Sequence, residues 1–111
     1  MIVGIALAFA FTAASNEPEG WRQALEASMK EDCVSGGTSG KSYSADQISA
    51  VTRYCGCTSA VYAKTITYDE LVAASKAKSW QDAPKLDNRL SVAADMQCET
   101  EIKAAEAAGI K

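Results

Sequence analysis

Two cysteines separated by a single glycine, Cys55-Gly56-Cys57, lie inside a stretch that reads as helix, and this triplet constrains the fold most. At 3.6 residues per turn, side chains two positions apart point about 200° away from each other. A Cys55–Cys57 bridge would therefore break the helix. If the helix holds, each cysteine needs a partner on a different side. The chain has four cysteines, which leaves Cys33 and Cys98 as those partners. A helix at about 45–64 then becomes a central rod stapled to one neighbour on each flank. Cys33–Cys55 with Cys57–Cys98 is preferred over the crossed pairing, because Cys55 shares an apolar stripe with Ile48, Val51, Thr58 and Tyr62. Each bridge closes a loop worth roughly 3–4 kcal/mol on the chain-entropy model.

Whether these sulfurs are bridged depends on the compartment, and the first residues speak to that. Ile2 to Phe11 is an apolar run of ten, and small residues follow at Thr12 to Ser15. That is the pattern of a secretory signal peptide with cleavage near Ala14 or Ser15, although Lys and Arg are lacking before the apolar run. The run is too short to span a bilayer, which needs about 20 apolar residues. The expectation is a signal segment at 1–15 and one helical domain at 16–111, periplasmic or secreted, with no stable membrane insertion once the signal is removed. A domain of this size gains little from apolar burial alone, so an oxidising compartment and two disulfides fit together.

The rest of the chain is rich in helix formers and shows no convincing apolar–polar alternation, so no sheet is expected. Helix one is predicted from Pro18 to about Cys33, capped by Asn16, with Glu17 and Glu19 at the positive end of its dipole. Trp21, Leu25, Met29 and Cys33 form its apolar stripe, and Gly36 and Gly37 end it. Ser44-Ala-Asp-Gln47 has capping-box spacing and opens helix two. Thr52, Gly56, Ala60 and Ala63 line the opposite face of that helix. The mid-helix glycine costs about 1 kcal/mol relative to alanine, which suits a second helix backbone approaching closely there. Thr67-Tyr-Asp-Glu70 is a second capping box and opens helix three, which runs to about Lys78. Trp80 stands near the next connection. Asp82 or Ala83 leads through Pro84 into helix four, with Leu86, Leu90 and Ala93 inward and Gly109 as its stop. The expected fold is all-α: a small disulfide-stapled bundle of about four helices.

Several chemistries are excluded. The chain has no histidine, which removes Ser-His-Asp and Cys-His catalysis and His-ligated zinc or haem. Its net charge of −3 argues against nucleic-acid binding, which needs a basic surface. Ser35-Gly-Gly-Thr-Ser-Gly-Lys-Ser42 imitates a phosphate loop, but Ser35 replaces the first glycine and the segment follows a helix instead of a buried strand. It reads as a polar interhelical loop. The carboxylate pairs Glu31/Asp32, Asp69/Glu70 and Glu99/Glu101 fall at helix ends or solvent faces, and so small a bundle implies no cleft. Catalysis and a bound cofactor are therefore not expected.

The leading functional expectation is an exported helical protein that acts by occupying another protein's surface, as inhibitors and immunity proteins do. The contact region expected for it is the Gly36–Tyr43 loop, with Lys41 and Tyr43 as partner-binding residues. One alternative is a thiol-redox or soft-metal protein using Cys55 and Cys57, with Met29 or Met96 as further ligands; those methionines are more simply core fillers. The other is a carrier of a small apolar ligand, which would show a cavity lined by Leu, Val and aromatic residues. Tyr54 and Tyr62, two turns apart on helix two, would suit a protein partner or an apolar ligand if partly exposed. Titration of the native protein with a thiol reagent should find no free thiol; two or more would refute the double-staple architecture.

Overall fold

The central helix is set at its first residue. The Ser44 hydroxyl accepts from the Gln47 amide at 3.2 Å, and the Gln47 side-chain oxygen accepts from the Ser44 amide at 2.9 Å. This reciprocal pair satisfies two amides that a helix start leaves orphaned. The computed structural model describes residues 17–76 and 84–110. The signal segment expected at 1–15, the expected Asn16 cap, Trp80 and the expected Asp82–Ala83 connection lie outside the described residues.

Five helices are described: α1 (Trp21–Thr38), α2 (Ala45–Thr65), α3 (Tyr68–Lys76), α4 (Pro84–Gln97) and α5 (Glu99–Ala107). The all-α, disulfide-stapled bundle is as expected, with α2 packed against α1 on one side and against α4 and α5 on the other. The second capping box also forms: the Glu70 amide donates to Thr67 Oγ1, and the Thr67 amide to Glu70 Oε1. Glu70 additionally meets Arg89 of α4 at 2.6 Å, and this contact holds its carboxyl below the usual range. Most of the core clusters where α1, α3, α4 and the end of α2 converge, around Leu25, Met29, Ile66, Leu71 and Leu90. A smaller cluster surrounds Cys98, with Val61 and Ala94.

Three boundaries differ from expectation. Helix one begins at Trp21, because Gly20 takes a left-handed conformation (φ 75°) and leaves Pro18, Glu17 and Glu19 in the preceding turn. It also runs through Gly36 and Gly37 to Thr38. Two mid-helix glycines cost only about 1 kcal/mol each. At Gly37 a Cβ would come within 3.2 Å of Val51 Cγ1, so the missing side chain allows α1 to approach α2 closely. Helix four, expected to be continuous to Gly109, divides at Cys98 (φ −110°, ψ 22°). The hydrogen bonds from the Cys98 N–H to the Ala94 carbonyl and from the Ile102 N–H to the Cys98 carbonyl persist, so the rod bends without breaking. A straight rod crossing α2 at an angle would soon leave its surface. The bend keeps both α4 and α5 against it.

Gly109 does end the last helix. Its φ of 82° closes a Schellman motif, with Ile110 N–H donating to the Ala105 carbonyl and Gly109 N–H to that of Glu106. Gln47 reaches this end as well, donating from Nε2 to the Ala108 carbonyl at 3.0 Å. The other end of α2 is held by a residue that sequence reasoning missed. Arg22 Nη1 lies 2.6, 3.1 and 2.8 Å from the carbonyls of Ala63, Lys64 and Ile66. It places a full positive charge at the negative end of the helix dipole. Its guanidinium carbon stands 4.4 Å from the centroid of the Trp21 ring, which meets Tyr68 edge-on at 5.4 Å.

Arg22→Ala is expected to lower stability by about 1–2 kcal/mol in urea unfolding with the disulfides intact. Arg22→Lys should recover only part of that loss, since an ammonium lacks the planar fork. A change below about 0.3 kcal/mol for Arg22→Ala would show that the cap contributes little.

Candidate functional site

The two bridges connect Cys33 of α1 to Cys55, and Cys57 to Cys98 at the α4–α5 bend, with Cα atoms 5.7 and 5.9 Å apart. The preferred pairing is the one found, and among the described residues no cysteine is free. The bridges span 22 and 41 residues of sequence, which the chain-entropy model values at about 3 and 4 kcal/mol. Between these two directions the surface of α2 falls into two arcs.

One arc carries the small residues. A Cβ on Gly56 would find its nearest neighbours at the tip of the Lys30 side chain, 3.7 Å away, and no neighbouring backbone within 4 Å. The expected close approach of a helix backbone at Gly56 is therefore absent; the tight glycine contact is at Gly37, against the Val51 side chain. Ala60 and Ala63 instead border an open groove shared with Trp21, Arg22 and Lys64.

The other arc holds the more developed site. On a wheel of about 100° per residue, Tyr54, Thr58 and Tyr62 fall between the directions of Cys57 and Cys55. They form the floor of a cleft of about 420 Å³, with Met29, Asp32, Cys33, Gly36 and Gly37 on the α1 wall and Ser91, Ala94 and Asp95 on the α4 wall. Each wall is tied to the floor helix by one disulfide. The expectation that no cleft forms in so small a bundle is thus overturned: an opening lies between α1 and α4 over the tyrosine stripe of α2. Asp32, expected at a helix end or solvent face, lies within α1 and lines this cleft.

Tyr62 Oη donates across the floor to Ser91 Oγ at 3.5 Å. Its phenol titrates above the ordinary value, chiefly because burial disfavours the phenolate; Ser91 opposes that rise, and the negative charges of Asp87 and Asp95 add to it. Among the described residues the lining contains neither Leu nor Val, so it does not match the cavity expected of an apolar-ligand carrier, and no Lys or Arg either.

The other candidate residues lie elsewhere. Lys41 is exposed and Tyr43 half-buried, with Lys41 Nζ 5.7 Å from the Tyr43 ring centroid, and neither lines the cleft. The loop expected at Gly36–Tyr43 is shorter, because Gly36 to Thr38 are helical. Met29 is a core residue at 1% exposure, but Met96 is 75% exposed and fills no core. Ile48, expected on the buried stripe, is also largely exposed. Glu70 and Glu99 are engaged with Arg89 and Lys103. Among the described residues no group of three or more acidic or cysteine side chains is placed to hold a metal ion. The signal for the cleft was present in sequence as Tyr54-x₃-Thr58-x₃-Tyr62, one stripe lying between two staple directions.

Because the neutral phenol of Tyr62 is favoured in the fold, its stabilising share is complete below the ordinary tyrosine pKa and fades as pH rises through the elevated one. The difference between ultraviolet titrations of the wild type and Tyr62→Phe should therefore have its midpoint above pH 10. A midpoint at or below that value would contradict the burial described. Comparison with known proteins gives no match to this chain, whether among protein-family models, curated proteins or solved structures.

Proposed function

We propose that this chain is an exported, non-catalytic binding protein that occupies the surface of another protein, in the manner of an inhibitor or immunity protein. The periplasm or the extracellular space suits it, because both bridges require an oxidising compartment and residues 1–15 have the pattern of an export signal. The observation that carries the reading is the cleft whose two walls are each covalently tied to its floor. A site of fixed width loses little conformational freedom on binding, so more of the contact energy appears as affinity. The loop carrying Lys41 and Tyr43 follows directly on the α1 wall and extends the contact surface beyond the cleft. Against thiol exchange, Cys55 and Cys57 serve different partners, so the two sulfurs do not form one exchangeable Cys-Gly-Cys bridge.

The test is capture by the oxidised protein from its native compartment, identification by mass spectrometry, and rebinding with the purified partner. A saturable complex is expected, weakened about tenfold (about 1.4 kcal/mol) by Lys41→Ala with Tyr43→Ala while helicity and melting stay unchanged. Failure of any captured protein to rebind in pure form would defeat the binding reading. Unfolding of the loop variant would instead give Lys41 and Tyr43 a structural role.

A further inference from the structure

The cleft over Tyr54 and Tyr62 has a chemistry specific enough to name what enters it. Its two walls each contribute one carboxylate, Asp32 from α1 and Asp95 from α4, and among the described residues no basic one lines it. Neither carboxylate has an ion pair or side-chain hydrogen bond among the described residues. Between them the floor carries two tyrosines two turns of helix apart, about 12 Å along the axis, with the Thr58 hydroxyl on the floor and that of Ser91 on the α4 wall. Aromatic faces attract cations through their quadrupole, and carboxylates add a charged acceptor.

We infer that this cleft receives a cationic group on an apolar stem, an arginine or lysine side chain presented by the partner protein. The inference rests on the binding function proposed above and names the chemistry of its contact. Guanidinium suits the site better than ammonium, because it stacks flat on a ring while forking to a carboxylate. The volume of about 420 Å³ exceeds that of a single basic side chain and leaves room for the residues flanking it. A free diamine shares the cationic chemistry but lacks such flanking contacts.

The experiment follows the amide resonances of the oxidised chain during addition of N-acetyl-arginine methylamide. Its neutral counterpart N-acetyl-norleucine methylamide and the diamine putrescine are added in parallel. Saturable shifts at Tyr54, Thr58, Tyr62 and Ser91 are expected with the arginine compound, weaker with putrescine and absent with the neutral one. Asp32→Asn and Asp95→Asn should each weaken arginine binding by about 3- to 10-fold, and wild-type affinity should fall with added salt. Equal response to the neutral compound, indifference to salt, or no saturable shift would overturn the inference. Tighter binding of putrescine would overturn its assignment to a protein side chain. If the captured partner binds a variant carrying both Asp32→Asn and Asp95→Asn undiminished, the cleft inference fails and the binding function stands. If the arginine compound binds but no protein can be captured, the cleft keeps its cation chemistry and the binding function fails.

Discussion

The rest of this structure depends on two sulfur bridges leaving one helix in nearly opposite directions. Cys55 and Cys57 cannot face the same neighbour on an intact helix, so the bridges to Cys33 and Cys98 hold α1 and the α4–α5 bend on separate flanks of α2. That matters in a domain with a small core. The main apolar cluster sits toward one end, where α3 also joins, and the second holds little beyond Val61, Ala94 and Cys98. Stabilisation of about 3–4 kcal/mol from each bridge is a large fraction of what a domain of this size normally retains. The tyrosine-floored cleft opens on α2 between the two staple directions.

Between the bridges, polar side chains tie the helix ends together. Gln47 completes the capping box of α2 with one atom and reaches the Ala108 carbonyl with another, joining the start of the central helix to the end of the last. Arg22 does the corresponding work at the far end of α2. Helix termini carry unpaired backbone groups that are costly to bury. Here those groups are used as attachment points between elements, which explains how short, alanine-rich helices with modest apolar faces keep a defined arrangement.

A cleft built this way differs from one between loops. Its floor is a helix and both walls are cross-linked to that floor, so its width is set before anything binds. Its lining combines rings, hydroxyls and two carboxylates that have no ion pair among the described residues.

Much of the architecture was legible in the residues because it follows from local rules. Helical spacing forbade a Cys55–Cys57 bridge, and the Ser44–Gln47 and Thr67–Glu70 boxes marked two helix starts where the structure has them. Gly109 marked the last helix end. Local rules failed where packing overruled them. Gly36 and Gly37 look like a stop, yet α1 continues through them because Gly37 can lie against Val51. Cys98 looks like helix interior, yet the chain bends there so that two segments can follow α2. Arg22 looks like an ordinary surface charge until the end of α2, some forty residues away in sequence, is brought beneath it. The sequence alone thus determined which segments are helical and where the sulfurs must point, since both follow from residue spacing on one rod. Tertiary structure decided the bend, the Arg22 cap and the opening between α1 and α4, because each depends on how separate rods meet.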